Sequence, residues 1–288
     1  MKKLRKLFIG ICILAGAAGV LKFVNSKSIT ANTSSKYIVL MERSSQKIIA
    51  EKKGNKKIYP ASMTKIMTAV TALEQISDMD RKVTISSEII TEAKNQGASM
   101  AGFCAGESVT IRDLFYGMML PSGAECCTRL AKYLEGSEQK FTEKMNEKAK
   151  ELGMKHTHFC NTTGLYQEDH YTTAEDMAIL LDYALKNERF RKIFTSMTYQ
   201  VPPTNLHRLG MMIESTLFSY KEELMLHNGR FLGGKTGYTK EAGLCLASLA
   251  EIQGKEYILI TAGAEGNHQT KPYHVIDAQK IFVSISKK

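Results

Sequence analysis

Residues 36–41, Lys36-Tyr37-Ile38-Val39-Leu40-Met41, are apolar at nearly every position rather than at every second one, the pattern of a strand buried on both faces. Lys47-Ile48-Ile49-Ala50-Glu51 follows across Arg43-Ser44-Ser45, and the two runs read as a hairpin. Residues 61–74 change to helical spacing, with Pro60 just ahead as a start signal. Residues 82–85 form a short strand. Residues 111–120 and 124–134 predict helices on either side of a loop at Ser122, and 140–152 is amphipathic. Thr173 opens another helix, with Asp176 expected to complete a capping box. Residues 199–201 read as strand, broken by Pro202-Pro203. Three strands then follow at 230–236, 243–251 and 256–263, and a terminal helix at 276–285. Early strands, a central helical block and late strands imply an α/β fold of the α+β type. Its antiparallel sheet is built from both ends of the chain and flanked by helices, and the helical insert makes a second lobe with the site between them.

The first residues carry a different pattern. Residues 1–6 are basic, and 7–21 are an apolar run of 15 residues that ends at Lys22. A spanning helix needs about 20 apolar residues, so the run suits the core of an export signal. Ile29-Thr30-Ala31 offers small residues for cleavage, and an uncleaved N-terminal anchor is the alternative reading. The expected division is therefore 1–31 as signal peptide or anchor and 32–288 as the working domain, acting outside the cytoplasm. Membrane contact is expected only through the N-terminal segment, if it is retained.

Charge sharpens this picture. The net charge is +10, but residues 1–31 hold six of the positive charges and no acid, so the remainder carries only +4. That gives no basis for a nucleic-acid partner and suits work near anionic wall polymers. Cys12 lies in the leader, and Cys104, Cys126, Cys127, Cys160 and Cys245 lie beyond it. No Cys-x-x-Cys pair exists, no metal or other cofactor is expected, and most of the thiols read as small buried apolar groups.

The chemistry resides in two short motifs. Ser62-Met63-Thr64-Lys65 places a hydroxyl and an amine at i and i+3, one face of a helix, where Cβ atoms lie about 5–6 Å apart. Serine is a weak nucleophile until an adjacent base takes its proton, and a lysine can do so when burial or a second cation lowers its pKa. Ser62 at a helix start also has backbone N–H groups facing a developing oxyanion. Far along the chain, Gly233-Gly234-Lys235-Thr236-Gly237-Tyr238 reads as a strand edge whose glycines permit close approach of a ligand. Lys235 and Thr236 there offer a charge and a hydroxyl to a carboxylate, and Lys235 is also a candidate second cation for Lys65.

With these motifs the chain resembles D-alanyl-D-alanine carboxypeptidases of the low-molecular-mass penicillin-binding protein kind. The resemblance runs from about residue 36 to the C-terminus. It rests on Tyr59-Pro60-Ala61-Ser62-Met63-Thr64-Lys65, the segment 106–120, Pro121-Ser122-Gly123, Asn161-Thr162-Thr163-Gly164-Leu165, the segment 170–178, and Gly234-Lys235-Thr236-Gly237-Tyr238-Thr239. It implies a β-lactamase/transpeptidase-like fold and hydrolysis of the terminal D-alanine from peptidoglycan stem peptides through a Ser62 acyl-enzyme, with β-lactams as covalent inhibitors. The implied catalytic residues are Ser62, Lys65 and Ser122. Lys235, Thr236, Gly237 and Tyr238 would bind substrate, with the Ser62 and Tyr238 backbone N–H groups as oxyanion hole.

Two features depart from the family. Its middle motif is Ser-x-Asn, and here Ala124 occupies the asparagine position. Glu125 beside it is expected to point away along the next helix. The arginine that many relatives place near the last helix is missing, and Lys271 and His274 stand in that neighbourhood as candidate carboxylate anchors. His170, Asn161 and Asp176 read as structural. Two alternatives remain open: a serine β-lactamase, for which a Glu-x-x-x-Asn-like element is lacking, and a non-catalytic binder of penicillin or wall peptide, which Ala124 keeps in play.

Overall fold

The computed structural model describes residues 26–286. Most of the expected leader, and Cys12, lie outside the described residues. A short helix α1 (Ser26–Ile29) comes first, and Ile29 is buried in the second core cluster, two residues before the expected processing boundary.

The main sheet holds β1 (Tyr37–Glu42), β2 (Lys47–Lys52), β7 (Gly229–Thr239), β8 (Gly243–Ile252) and β9 (Lys255–Ala264) in the order β2-β1-β9-β8-β7, all antiparallel. The strand nearest the N-terminus thus pairs with the one nearest the C-terminus, as both-ends assembly requires. β1 explains its own pattern. Val39 and Met41 face a large core shared with the helical lobe, while Ile38 and Leu40 face a smaller one on the other side of the sheet. A strand covered on both faces has no position left for polar alternation.

The smaller core is closed by α9 (Tyr273–Ser286), through Val275, Ala278, Ile281 and Phe282. It starts just after Pro272, three residues before the expected helix. The larger core is filled by α2 (Lys65–Leu73), α4 (Ile111–Met119), α5 (Ala124–Glu135), α6 (Glu138–Glu151), α7 (Ala174–Ala184) and α8 (Glu188–Phe194). α2 is buried along its whole length, the central pillar between sheet and lobe.

Among the elements that escaped the sequence reading are α3 (Ser87–Asn95), β4 (Ser108–Thr110), β6 (Met211–Glu214) and α8. β4 pairs with β3 (Lys82–Thr84), and β6 with β5 (Thr198–Val201). The two strands are short, and each takes its register from its partner. The capping box expected at Thr173 is only half formed. Thr173 Oγ1 accepts the Asp176 N–H, but the Asp176 carboxylate turns to the His156 N–H and the Thr157 hydroxyl. The complete box belongs to Thr110 and Asp113 on α4. No cysteine is bridged among the described residues; Cys126, Cys127 and Cys245 are buried as expected, while Cys104 is exposed. No described helix is long and apolar enough to cross a membrane.

Candidate active site

The helix expected over 61–74 opens instead as a tight 3₁₀ turn, Ala61–Thr64, before α2 begins at Lys65. Ala61 sits at φ +46°, a conformation that L-residues adopt at a cost of about 1–3 kcal/mol. The turn is held from two sides. Gly164, at φ +88°, passes so close that a Cβ there would lie 1.8 Å from the Ala61 carbonyl oxygen. A Cβ on Gly237 of β7 would lie 3.0 Å from the Ser62 nitrogen. Gly164 requires glycine by proximity, Gly237 leaves little room for a side chain, and together they aim Ser62 into the groove beside β7, an edge strand of the main sheet.

Lys65 is 2% exposed, and its Nζ donates to Ser62 Oγ at 3.0 Å and to the Thr163 carbonyl at 2.7 Å. One helical turn on, Thr68 donates to the Thr162 carbonyl at 2.7 Å. The 161–164 turn that supplies these acceptors is ordered by Asn161, whose Oδ1 accepts from the Thr163 and Gly164 N–H groups. Asn161 is therefore a turn residue, as read. His170 is buried behind Ser62's turn, within hydrogen-bond distance of Thr64 Oγ1 (2.8 Å) and of the Cys160 N–H (3.0 Å). Burial, then the neighbouring His158 and Lys65, lower its pKa to about 3, so the ring is neutral and packs the turn.

Lys65 itself has a lowered pKa. Burial dominates, opposed first by Cys127 and then by Glu125. Burial pushes the Cys127 thiol up to about 12, so near neutral pH that thiol is uncharged and contributes no opposing charge. Glu125 does not point away as expected. It is fully buried, its Oε1 accepts from the Ala101 and Gly102 N–H groups, and burial raises its own pKa. It thereby anchors the 99–102 loop that flanks Ser62. The helical periodicity of 124–134 gave no warning, because the loop that receives this carboxylate lies over twenty residues upstream.

Ser122 adopts φ +71° and is 5% exposed, and its Oγ has no hydrogen-bond partner among the described residues. Its backbone is fixed by the next two residues: the Gly123 N–H donates to the Gly117 carbonyl and the Ala124 N–H to that of Ser99, each at 2.8 Å. Ala124 borders the same depression as Ser62, Lys65 and Thr163. The missing asparagine thus leaves space beside the nucleophile.

Lys235 on β7 is fully buried, donates to the Thr236 carbonyl at 2.9 Å, and has a pKa held well below the usual ammonium range by burial and then by Lys65. It stands behind the groove wall. The wall itself presents the hydroxyls of Thr236 and Thr216, 2.7 Å apart. Ser62, Ser122, Thr236, Gly237 and Tyr238 line one continuous depression, completed by Ser99, Thr216, Ser219, Tyr220, His268 and His274. The sequence reading missed Ser99, Thr216, Ser219, Tyr220 and His268. These are single polar residues in loops, with no motif spacing to mark them. Of the two proposed carboxylate anchors, His274 borders the depression and Lys271 does not. Burial, then His268, lowers the His274 pKa to about 4, so it meets a ligand as a neutral ring. His268 stacks edge-on against Tyr238, with centroids 4.9 Å apart.

A family model described as D-alanyl-D-alanine carboxypeptidase matches residues 24–266. D-alanyl-D-alanine carboxypeptidase DacF of Bacillus subtilis is 34% identical over 273 residues, covering 92% of this chain and 67% of that protein. A D-alanyl-D-alanine carboxypeptidase of Streptomyces is 33% identical, covering 68% of this chain and 69% of that one. Among solved structures, the Streptomyces DD-transpeptidase superposes with a TM-score of 0.77 at 28% identity, over 86% of this chain and 95% of that one. A D-alanyl-D-alanine carboxypeptidase from Mycobacterium tuberculosis does so at 0.75 and 25%, over 87% and 90%.

Proposed function

The chain belongs to the D-alanyl-D-alanine carboxypeptidase family, and on that premise we propose that it removes the terminal D-alanine from peptidoglycan stem peptides through an acyl-enzyme on Ser62. The observation that carries this reading is the buried Lys65 ammonium position, 3.0 Å from Ser62 Oγ. Neutral Lys65 takes the hydroxyl proton as Oγ attacks the carbonyl of the penultimate D-alanine. The oxyanion forms between the Ser62 and Tyr238 backbone N–H groups. Ser122, with its free hydroxyl facing the same depression, relays a proton to the leaving amine as the C–N bond breaks. Water then hydrolyses the ester. Thr236 and Thr216 receive the terminal carboxylate, whose negative charge favours the ammonium form of Lys235 behind them. The substrate's extended chain has the open edge of β7 to pair with.

The basic and apolar leader supports action outside the cytoplasm, on the cell-wall side, either secreted or held by the N-terminal segment. β-Lactams should act as covalent inhibitors. After treatment with penicillin, mass spectrometry should find the adduct on the peptide containing Ser62. Labelling that persists in Ser62→Ala would contradict the assignment.

Ala124→Asn should raise kcat/KM about tenfold, the value of one hydrogen bond of about 1.4 kcal/mol to the substrate backbone. A fall in kcat/KM would mean that the space beside Lys65 is already used by the substrate.

Glu125→Gln tests the electrostatics. Removing a negative charge destabilises the Lys65 ammonium, so the base becomes available at lower pH. The limb of the acylation rate that rises with pH should therefore move to lower pH in the variant, while the amide oxygen keeps the bonds from Ala101 and Gly102. A shift to higher pH would disprove the coupling.

A further inference from the structure

Away from the Ser62 groove, Cys104, Glu107 and His207 each present a ligand atom within 4.8 Å of the others. Two segments distant in sequence supply them. Cys104 and Glu107 lie at i and i+3 of a tight turn closed by the Glu107 N–H on the Cys104 carbonyl, with Gly106 at φ +79°. His207 comes from the loop joining β5 and β6. Its N–H donates to Thr204 Oγ1, and its carbonyl accepts from the Thr204 and Gly210 N–H groups. Asn205 stitches that loop to the turn, accepting from the Ser108 N–H and donating to the Gly106 carbonyl. The two segments that carry the three donors are therefore held against each other.

Glu107 is fully buried, with a hydrogen bond to Oε2 from the Cys104 N–H and to Oε1 from the Thr204 hydroxyl; its Oε1 also lies 2.7 Å from His207 Nδ1. A Glu–His pair alone would account for two of the residues. It gives no role to the thiol, which is exposed beside them. Thiolate, imidazole and carboxylate together are the donor set of zinc-class ions, whereas calcium and magnesium prefer oxygen alone. We propose that Cys104, Glu107 and His207 bind one zinc-class transition-metal ion that ties the turn before β4 to the β5–β6 hairpin.

The charges balance. Cys104 gives its thiol proton to solvent on binding, and one thiolate and one carboxylate then neutralise the dication. His207 binds as a neutral ring. With three protein donors and an exposed thiol, the fourth tetrahedral position is left to water. The bonds to Glu107 from the Thr204 hydroxyl and the Cys104 N–H are the kind of outer support that fixes a ligating carboxylate.

The test uses the purified protein, reduced, stripped with chelator and titrated with cobalt(II) and then zinc(II). One cobalt per chain should bind with a thiolate-to-cobalt charge-transfer band and the visible bands of a four-coordinate site, bleached by one equivalent of zinc. Cys104→Ser should abolish the charge-transfer band. Cys104→Ser and His207→Gln should each weaken zinc binding by at least about tenfold. Cys160→Ser, which alters the other accessible thiol among the described residues, should keep the band. Thermal unfolding of metal-free Cys104→Ser should match the metal-free parent, so that lost binding reports a lost ligand. Absence of the band, a band that follows Cys160, or equal zinc affinity in the parent and Cys104→Ser would overturn the proposal.

Discussion

Lys65→Ala should slow acylation of Ser62 by about 10²–10⁴, the usual contribution of a positioned general base. The size follows from the geometry. Lys65 Nζ, itself buried, donates to Ser62 Oγ and the Thr163 carbonyl, and burial disfavours its charged form. Among the described residues the hydroxyl proton of Ser62 has no comparably placed base to leave by, since His170 bonds Thr64. Stopped-flow labelling with a fluorescent penicillin measures the acylation step separately from deacylation. Acylation within a factor of two or so of the parent would remove Lys65 from the role of base. Lys65→Arg is a useful companion, because it restores charge and bulk without a group that can deprotonate. It should be as slow as the alanine variant.

The second large effect concerns the substrate's own charge. A D-Ala–D-Ala peptide with its terminal carboxylate amidated should lose about 10- to 150-fold in kcat/KM. That is the range of one charge-assisted hydrogen bond of about 1.5–3 kcal/mol. The hydroxyls of Thr236 and Thr216 face the groove as a pair, with Lys235 fully buried behind them. Lys235→Ala should show the same loss on the free acid and little further loss on the amide, because variant and amide remove two ends of one interaction. Equal turnover of acid and amide by the parent would indicate cleavage within peptides instead of at their ends.

The sequence exposed what is local or repeated and hid what depends on a distant partner. Ser62 and Lys65 share one helical turn, so their contact was legible from spacing alone. The sheet built from both chain ends was legible because β1, β8 and β9 are apolar along most of their length, which central strands sustain. The 3₁₀ opening of α2 was not legible, since the glycines that press on Ala61 and Ser62 lie about a hundred and about a hundred and seventy positions downstream. Lys235 was expected to face the substrate directly. In the fold its nitrogen turns to its own strand's carbonyl, and the hydroxyl of Thr236 takes the exposed place. Thr216 and His268 enter the groove from loops of no distinctive pattern. Glu125 illustrates the limit best. Residue spacing placed it on a helix face, but only the path of the 99–102 loop decides that this face is buried against backbone N–H donors.

The most direct test of the account is to incubate the purified protein, and Ser62→Ala beside it, with a diacyl-Lys-D-Ala-D-Ala peptide and to measure free D-alanine together with the shortened peptide acid. The parent should release the two products in equal amounts over many turnovers, and Ser62→Ala should release neither above the uncatalysed rate. A parent that binds penicillin at Ser62 yet releases no D-alanine would contradict the account and identify the chain as a binder of wall peptides rather than a carboxypeptidase.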